Sequence, residues 1–144
     1  VHSPNILWQA DREGSDRIAL IDFQDAMIGP AAYDVASLIM DARVTIGPEL
    51  QDSLMAAYIE QRRADNAGFD ETGFRKAFAI MAAQRNAKIL GIFVRLDERD
   101  GKPFYLKHLP RIQAYLEQAL DHPALAPVRD WCDSNGILAQ RIDA

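Results

Sequence analysis

The chain opens on two short apolar runs separated by a polar linker, a pattern typical of a β-hairpin. Residues 6–10 and 17–23 are rich in strand-forming side chains, and the linker at 11–16 contains a turn glycine. In an antiparallel pair, the residue before the first strand lies opposite the end of the second strand. The pattern therefore predicts that Asn5 and Asp22, at these two positions, come together at one end of the hairpin.

From residue 31 onward the apolar positions follow a helical period. The predicted helices begin at Ala31 and at Pro48 and then span residues 74–96, 108–120 and 127–134. Asp70 or Thr72 can cap the long helix at its start, and a charged segment at 97–103 predicts the turn that ends it. The chain is therefore expected to be mainly α with a small β-hairpin.

Composition and charge indicate an ordinary globular domain and argue against some classes of binding partner. The 144 residues are 49% apolar and 26% charged, which suits one domain with a hydrophobic core. The formal net charge of −5 argues against a general nucleic-acid binder, which needs a basic face. No uninterrupted apolar stretch approaches the roughly 20 residues that cross a bilayer, so no membrane partner is expected. A single cysteine, Cys132, predicts a reducing compartment, which we expect to be the cytoplasm.

An amide and a carboxylate at one end of a hairpin form a chemically informative pair. Both side chains offer the oxygen ligands that suit Mg²⁺, an ion that is commonly bound together with phosphate groups. Phosphoryl transfer depends on metal ions and positioning more than on covalent chemistry by the protein. The spacing alone leaves a simpler interpretation open, in which Asn5 and Asp22 only satisfy the backbone of loops.

The residues around this pair resemble the aminoglycoside phosphotransferase (kinase-like) family. In that family a strand ends in Ile-Asp-Phe or Ile-Asp-Trp, and Gly-Asp/Pro-x-x-Tyr-Asp-Leu-Ala follows closely. This chain has Ile-Asp-Phe at 21–23 and Gly-Pro-Ala-Ala-Tyr-Asp-Val-Ala at 29–36. The family's catalytic loop reads His-x-Asp-x-x-x-x-Asn, and Val-His-Ser-Pro-Asn at 1–5 resembles its last five positions. The resemblance implies the C-terminal lobe of a protein-kinase-like (α+β) fold.

Two stretches carry a closer resemblance within the family. Phe-Gln-Asp-Ala at 23–26 and the segment 85–93 are similar to bacterial amino-sugar kinases. Those enzymes phosphorylate the anomeric position of N-acetylmuramate and N-acetylglucosamine in cell-wall recycling. One departure from the wider family is Gln24, where an acid or a glycine is common, and it leaves Asp22 intact. The implied activity is ATP- and Mg²⁺-dependent phosphorylation of an amino sugar.

By this resemblance Asn5 and Asp22 are the metal ligands, which hold the ion against the ATP phosphates. The family's catalytic Asp would sit immediately before Val1, and residues 1–144 would lack the N-terminal ATP-binding lobe. We therefore expect a fragment of a longer enzyme that is inactive by itself. A lobe without its partner exposes apolar surface, through which the chain is expected to be able to dimerise.

Four more residues are candidates for the site. Asp25 lies in the implied metal loop, where it either supports the metal or binds loop amides. Asp34 begins a helix, and the family pattern implies that it supports the catalytic-loop backbone rather than touching substrate. Arg85 and Lys88 interrupt the apolar stripe of the long helix. They either contact substrate or a carboxylate that lines the active cleft, or they form structural ion pairs or extend to water.

Two other functions stay open at this point. One is a kinase of the same family that acts on an aminoglycoside or a choline-type substrate, although the scattered acidic residues mildly favour a neutral or acidic sugar. The other is a helical binding module without chemistry, which predicts no Mg²⁺-dependent nucleotide binding.

Overall fold

The computed structural model describes residues 2–22, 24 and 27–139, which form a hairpin followed by helices. Strands β1 (Ile6–Trp8) and β2 (Ile18–Leu20) pair in antiparallel register, with Ile6 opposite Leu20. The predicted hairpin is confirmed, although each strand is shorter than the apolar run that predicted it. The second run does not continue as a strand because Asp22 has a left-handed backbone with a φ of 60°, which is incompatible with extended structure.

The regular secondary structure after the hairpin is helical in the described residues, as the spacing predicts. The helices are α1 (Ala31–Ile39), α2 (Pro48–Asp65), α3 (Glu71–Asp100), α4 (Leu109–Leu120) and α5 (Ala126–Ser134). Short 3-10 segments occur at Ser3–Asn5, Gly14–Arg17, Pro103–His108 and Pro123–Leu125. The predicted mainly α architecture with a small hairpin is therefore confirmed.

Helix α3 is longer than predicted at both ends. Of the two predicted caps the structure uses Asp70, whose carboxylate accepts a hydrogen bond from Gly73 N at 2.9 Å. At the other end the helix continues to Asp100, so the turn predicted to begin at residue 97 is wrong. Charged side chains are compatible with an exposed helix, and α3 stops only at Gly101. The φ of 62° at that position suits glycine, and its N–H bonds to Asp97 O at 3.0 Å.

The core forms where α1 and α4 pack on α3. Small side chains let these helices approach closely, and Ala36 on α1 and Ala82 on α3 are both completely buried. Ile112 on α4 is also completely buried, in a second cluster with Phe93 and Leu109. Each Å² of apolar surface removed from water contributes roughly 25 cal/mol. Helix α3 is therefore the element that fixes the position of α1.

Helix α3 is also apolar enough to resemble a membrane span. An 18-residue window within it has a mean hydropathy of 1.2, so by length and composition alone it is able to cross a bilayer. Its buried side chains include Arg85 and Asn86, which contact the end of α1 at Met40. A third of that window is buried inside the domain. The absence of a membrane partner stays a prediction.

A buried carboxylate fastens the N-terminal loop to the segment that follows α1. Asp41 is 1% exposed, and its Oδ2 accepts hydrogen bonds from Ser3 N at 2.9 Å and from Ser3 Oγ at 2.8 Å. Its Oδ1 accepts from Arg43 N at 2.7 Å and from Val44 N at 3.0 Å. Burial alone would raise the pKa of Asp41, but these hydrogen bonds outweigh it and hold that pKa below its ordinary value.

The hairpin and the loop after it leave large apolar side chains exposed. They are Leu7, Trp8, Ile18, Leu20, Ile21, Met27 and Ile28. Trp8 is 63% exposed and Met27 is 92% exposed. Soluble monomers rarely leave large contiguous apolar patches open, so this surface suits the dimerisation expected from the sequence, which stays a prediction.

Replacing Asp70 with Ala should lower the free energy of unfolding by about 1 kcal/mol, because Gly73 N loses its capping partner. Urea unfolding followed by circular dichroism measures the change. Glu60→Ala is the matched control, since Glu60 is an exposed acid on α2 and Ala is a good helix former. Equal losses in both variants would contradict the capping role.

Replacing Asp41 with Asn should lower the free energy of unfolding by about 2–3 kcal/mol near neutral pH, since an amide cannot accept all the hydrogen bonds that the carboxylate accepts. The pKa of Asp41 is lowered in the folded protein, so the carboxylate's contribution is complete above the ordinary Asp pKa of about 4. The contribution is lost as the pH falls through the folded-state pKa. The difference between wild type and variant, from urea unfolding at several pH values, should therefore shrink in acid. A constant difference down to about pH 2 contradicts the assignment.

Candidate metal site at the end of the hairpin

Asn5 and Asp22 lie side by side at one end of the hairpin, as their positions in the sequence predict. Ile21 N donates to Asn5 O at 3.0 Å, which extends the strand pairing by one step. The Asn5 side chain then donates from Nδ2 to Asp22 Oδ2 at 3.1 Å. The predicted juxtaposition is confirmed, and the metal-binding role of the two residues stays a prediction.

The direction of the Asp22 carboxylate is fixed by its backbone and by bonds to both oxygens. Its φ of 60° lies in the left-handed region, which costs most residues about 1–2 kcal/mol and which Asp tolerates better than most. Gln24 Nε2 donates to Asp22 Oδ1 at 2.8 Å, while Asn5 holds Oδ2. These bonds use two of the roughly four lone-pair sites of a carboxylate. The remaining sites of the exposed side chain are open to a ligand.

The pair lines a cavity of about 570 Å³ between the hairpin, α1 and α3. A volume of this size is typical of small-molecule sites. Among the described residues, the polar lining includes His2, Asn5, Asp22, Tyr33, Asp34 and Gln84, and the apolar lining includes Leu20, Ile21, Met27, Ile28 and Met81. The arrangement is therefore able to take a polar ligand beside apolar surface.

The metal ligands available here suit magnesium better than zinc. Among the described residues, no group of three or more His, Cys, Asp or Glu side chains is placed to hold a metal ion. Zinc sites usually need such a group. Mg²⁺ keeps several waters and is commonly held by one or two carboxylates together with substrate phosphates. Asn5 and Asp22, with one amide oxygen and one carboxylate, provide the kind of donor set that suits Mg²⁺.

Of the two other acidic candidates, Asp34 lies within the described residues and Asp25 does not. Asp34 lies in the first turn of α1, is exposed and lines the same cavity. Its predicted support of the catalytic-loop backbone stays a prediction. Asp25 lies outside the described residues, so the structure gives no position for its predicted role in the metal loop.

Asp41 contacts the loop that carries Asn5, and the sequence patterns do not predict this contact. It binds Ser3, which lies two positions before Asn5. The contact joins residues 38 positions apart, and no local pattern indicates it. The position of Asp41 is itself a weak signal. An acidic residue just beyond a helix C-terminus interacts unfavourably with the helix dipole, so a stabilising contact elsewhere is expected for it.

His2 also takes part in this loop. Arg43 Nη1 lies 3.4 Å from His2 Nε2. Burial and then the charge of Arg43 lower the pKa of His2, so its ring is neutral near pH 7. A neutral ring with an unprotonated Nε2 accepts a hydrogen bond from the guanidinium.

The two cations of α3 lie away from the pair. Arg85 is 7% exposed and donates from Nη1 to Met40 O at 3.0 Å. Burial lowers the pKa of Arg85, and the charge of Asp41 opposes that shift. Lys88 is exposed. The described lining of the cavity includes neither cation, and contact of either one with substrate stays a prediction.

Comparison with known proteins agrees with the resemblance seen in the sequence. Residues 1–73 match the phosphotransferase enzyme family (APH). This matched half contains the hairpin, the Asn5–Asp22 pair, α1 and Asp41.

Relatives with a curated name share more than a third of their aligned residues with this chain. The N-acetylmuramate/N-acetylglucosamine kinase of Caulobacter vibrioides is 37% identical over 132 residues, which cover 92% of this chain and 35% of that protein. Proteins of the same name from Pseudomonas putida and Neisseria meningitidis serogroup B are 38% and 40% identical over 74% and 78% of this chain, and 32% and 34% of their own lengths. The chain thus spans about one third of the length of these relatives. It belongs to the phosphotransferase enzyme family.

Proposed function

We propose that this chain is the C-terminal, substrate-side lobe of an ATP- and Mg²⁺-dependent kinase that phosphorylates an amino sugar, N-acetylmuramate or N-acetylglucosamine. The observation that carries the proposal is the Asn5–Asp22 pair, joined by a 3.1 Å hydrogen bond on the wall of a cavity of small-molecule size. The names of the relatives support the substrate class. In this account the ATP-binding lobe and the catalytic Asp belong to another part of the enzyme.

The residues at the hairpin end fit a magnesium ion. The Asn5 amide uses Nδ2 to bind Asp22, which leaves its Oδ1 for a metal. Asp22 is exposed, so a hydrated ion that carries phosphates is able to approach its carboxylate. When bound, such an ion neutralises charge on the phosphates of ATP.

In this proposal the surrounding residues hold the side-chain oxygens of Asn5 and Asp22 in place before substrate binds. Asn5 is tied to the second strand through the bond from Ile21 N, and Asp22 is held by Gln24 and by its own backbone. Donors that are already oriented need no reorganisation during the reaction. Tyr33 and Gln84 on the cavity wall then offer hydrogen bonds to the hydroxyl groups of a sugar.

The cellular setting follows from the same proposal. A kinase of these sugars takes part in cell-wall recycling and works in the cytoplasm, where ATP is available. Cys132 is a free, buried thiol, which suits a reducing compartment.

Replacing Asp22 with Asn in the natural full-length protein should lower the rate of ATP-dependent sugar phosphorylation by at least about 100-fold. The metal supplies several kcal/mol of charge stabilisation, and each tenfold in rate corresponds to about 1.4 kcal/mol. Coupled ADP-release kinetics at saturating Mg²⁺ measure the loss. Asp130→Asn, at an exposed position on α5, is the matched control and should retain the wild-type rate. A rate within about threefold of wild type for Asp22→Asn would rule out a metal-holding role.

The natural full-length protein should transfer phosphate to the anomeric hydroxyl of N-acetylmuramate or N-acetylglucosamine. Phosphorus NMR of the product identifies a sugar 1-phosphate, and the same assay with an aminoglycoside or choline provides the comparison. The expected result is turnover with at least one amino sugar and background with the cationic substrates. Turnover confined to the cationic substrates would favour an antibiotic or choline-type kinase instead.

A further inference from the structure

We propose that Asp41 is a positioning residue for the loop that carries Asn5: it fixes Ser3 and thereby the location of the Asn5 side chain. The inference rests on the proposed function, because it assigns a task to Asp41 within that same site. The lining of the cavity that Asn5 and Asp22 share does not include Asp41 among the described residues. The hydrogen-bonded connection from Asp41 to Asn5 therefore runs through the loop.

The contacts of Asp41 divide between two segments that are distant in sequence. One oxygen, Oδ1, accepts from Arg43 N and Val44 N and so fixes the carboxylate to the turn after α1. The other, Oδ2, accepts from both the backbone N–H and the hydroxyl of Ser3. The carboxylate therefore clamps the N-terminal loop onto a segment whose own position is set by the helical core.

The connection from Ser3 to Asn5 is short and stiff. Ser3–Asn5 form a single 3-10 turn, in which Pro4 has a restricted φ. Asn5 N donates to His2 O at 2.9 Å and closes the turn. Displacement of Ser3 is therefore transmitted to Asn5 and to its 3.1 Å bond with Asp22.

The protein offsets an unfavourable location for this carboxylate. A negative charge next to the C-terminus of α1 opposes the helix dipole, and burial of a charge is costly unless it is fully hydrogen-bonded. Arg85 donates to Met40 O, and Arg111 donates to Ala42 O at 3.0 Å, so cations flank Asp41 on both sides along the chain. These contacts compensate for the cost of burying Asp41, and we infer that its role is to hold Ser3.

The test compares four forms of the natural full-length protein: wild type, Asp41→Asn, Ser3→Ala and Asp70→Ala. Asp70→Ala is the control for lost stability, since Asp70 caps α3 and has no part in the loop. One readout is the Mg²⁺ dependence of sugar phosphorylation, taken where every variant is folded by circular dichroism. The second is amide hydrogen exchange over residues 2–6, which needs no activity.

For Asp41→Asn we expect kcat to fall about 10- to 100-fold, the range typical of partners that orient a metal ligand. The Mg²⁺ concentration at half-maximal rate should rise, while the KM for the sugar changes by less than about twofold. Exchange over residues 2–6 should become faster by about tenfold or more. Ser3→Ala should change both readouts in the same direction but less, because its backbone N–H still reaches Asp41. Asp70→Ala should change neither.

Two failures are distinguishable. An active wild type whose Mg²⁺ dependence and kcat are unchanged by Asp41→Asn overturns the positioning role and leaves the proposed function intact. A wild type that phosphorylates no sugar overturns the proposed function. In that case, unchanged exchange over residues 2–6 in Asp41→Asn overturns the positioning role as well, whereas faster exchange retains it for the ligand that the cavity does bind.

Discussion

The antiparallel register of the hairpin is the constraint on which the candidate site depends. Pairing of Ile6 with Leu20 brings the residue before β1 next to the chain that leaves β2, so Asn5 meets Asp22. A two-stranded hairpin is only marginally stable by itself, and its register must be supported from outside. Asp41 supplies such support by holding Ser3, and the left-handed backbone of Asp22 ends the opposite strand at the required point.

The position of the pair can be traced back to the helical core through a series of contacts. Ala36 and Ala82 allow α1 to pack closely on α3, which sets where α1 ends. Arg85 of α3 then binds Met40 O at that end, and the next residue is Asp41. The site is therefore a small, exposed β-structure whose geometry is imposed by buried helices. This arrangement leaves the ligand side open while the supporting side packs against buried helices.

Elements with strong local signals could be predicted from the sequence, and elements that depend on distant contacts could not. Two apolar runs around a polar linker were sufficient for the hairpin, and helical spacing was sufficient for the helices. The predicted end of α3 is too early because charged residues suit both a turn and an exposed helix, and only Gly101 decides between them. Ser3, the distant partner of Asp41, lies 38 positions away, and Met40, the partner of Arg85, lies 45 positions away, so no local window of sequence contains either pair. The family resemblance supplied the chemistry of the Asn5–Asp22 pair, which spacing alone left open.

Binding of Mn²⁺, as a paramagnetic substitute for Mg²⁺, to the natural full-length protein in the presence of ADP directly tests whether the hairpin end is a metal site. Electron paramagnetic resonance distinguishes free from bound Mn²⁺ without any need for turnover. We expect the wild type to bind Mn²⁺, Asn5→Ala to bind it more weakly and Asp22→Asn to lose most of the binding. Equal Mn²⁺ affinity in all three proteins would contradict the claim that this hairpin end is the metal site.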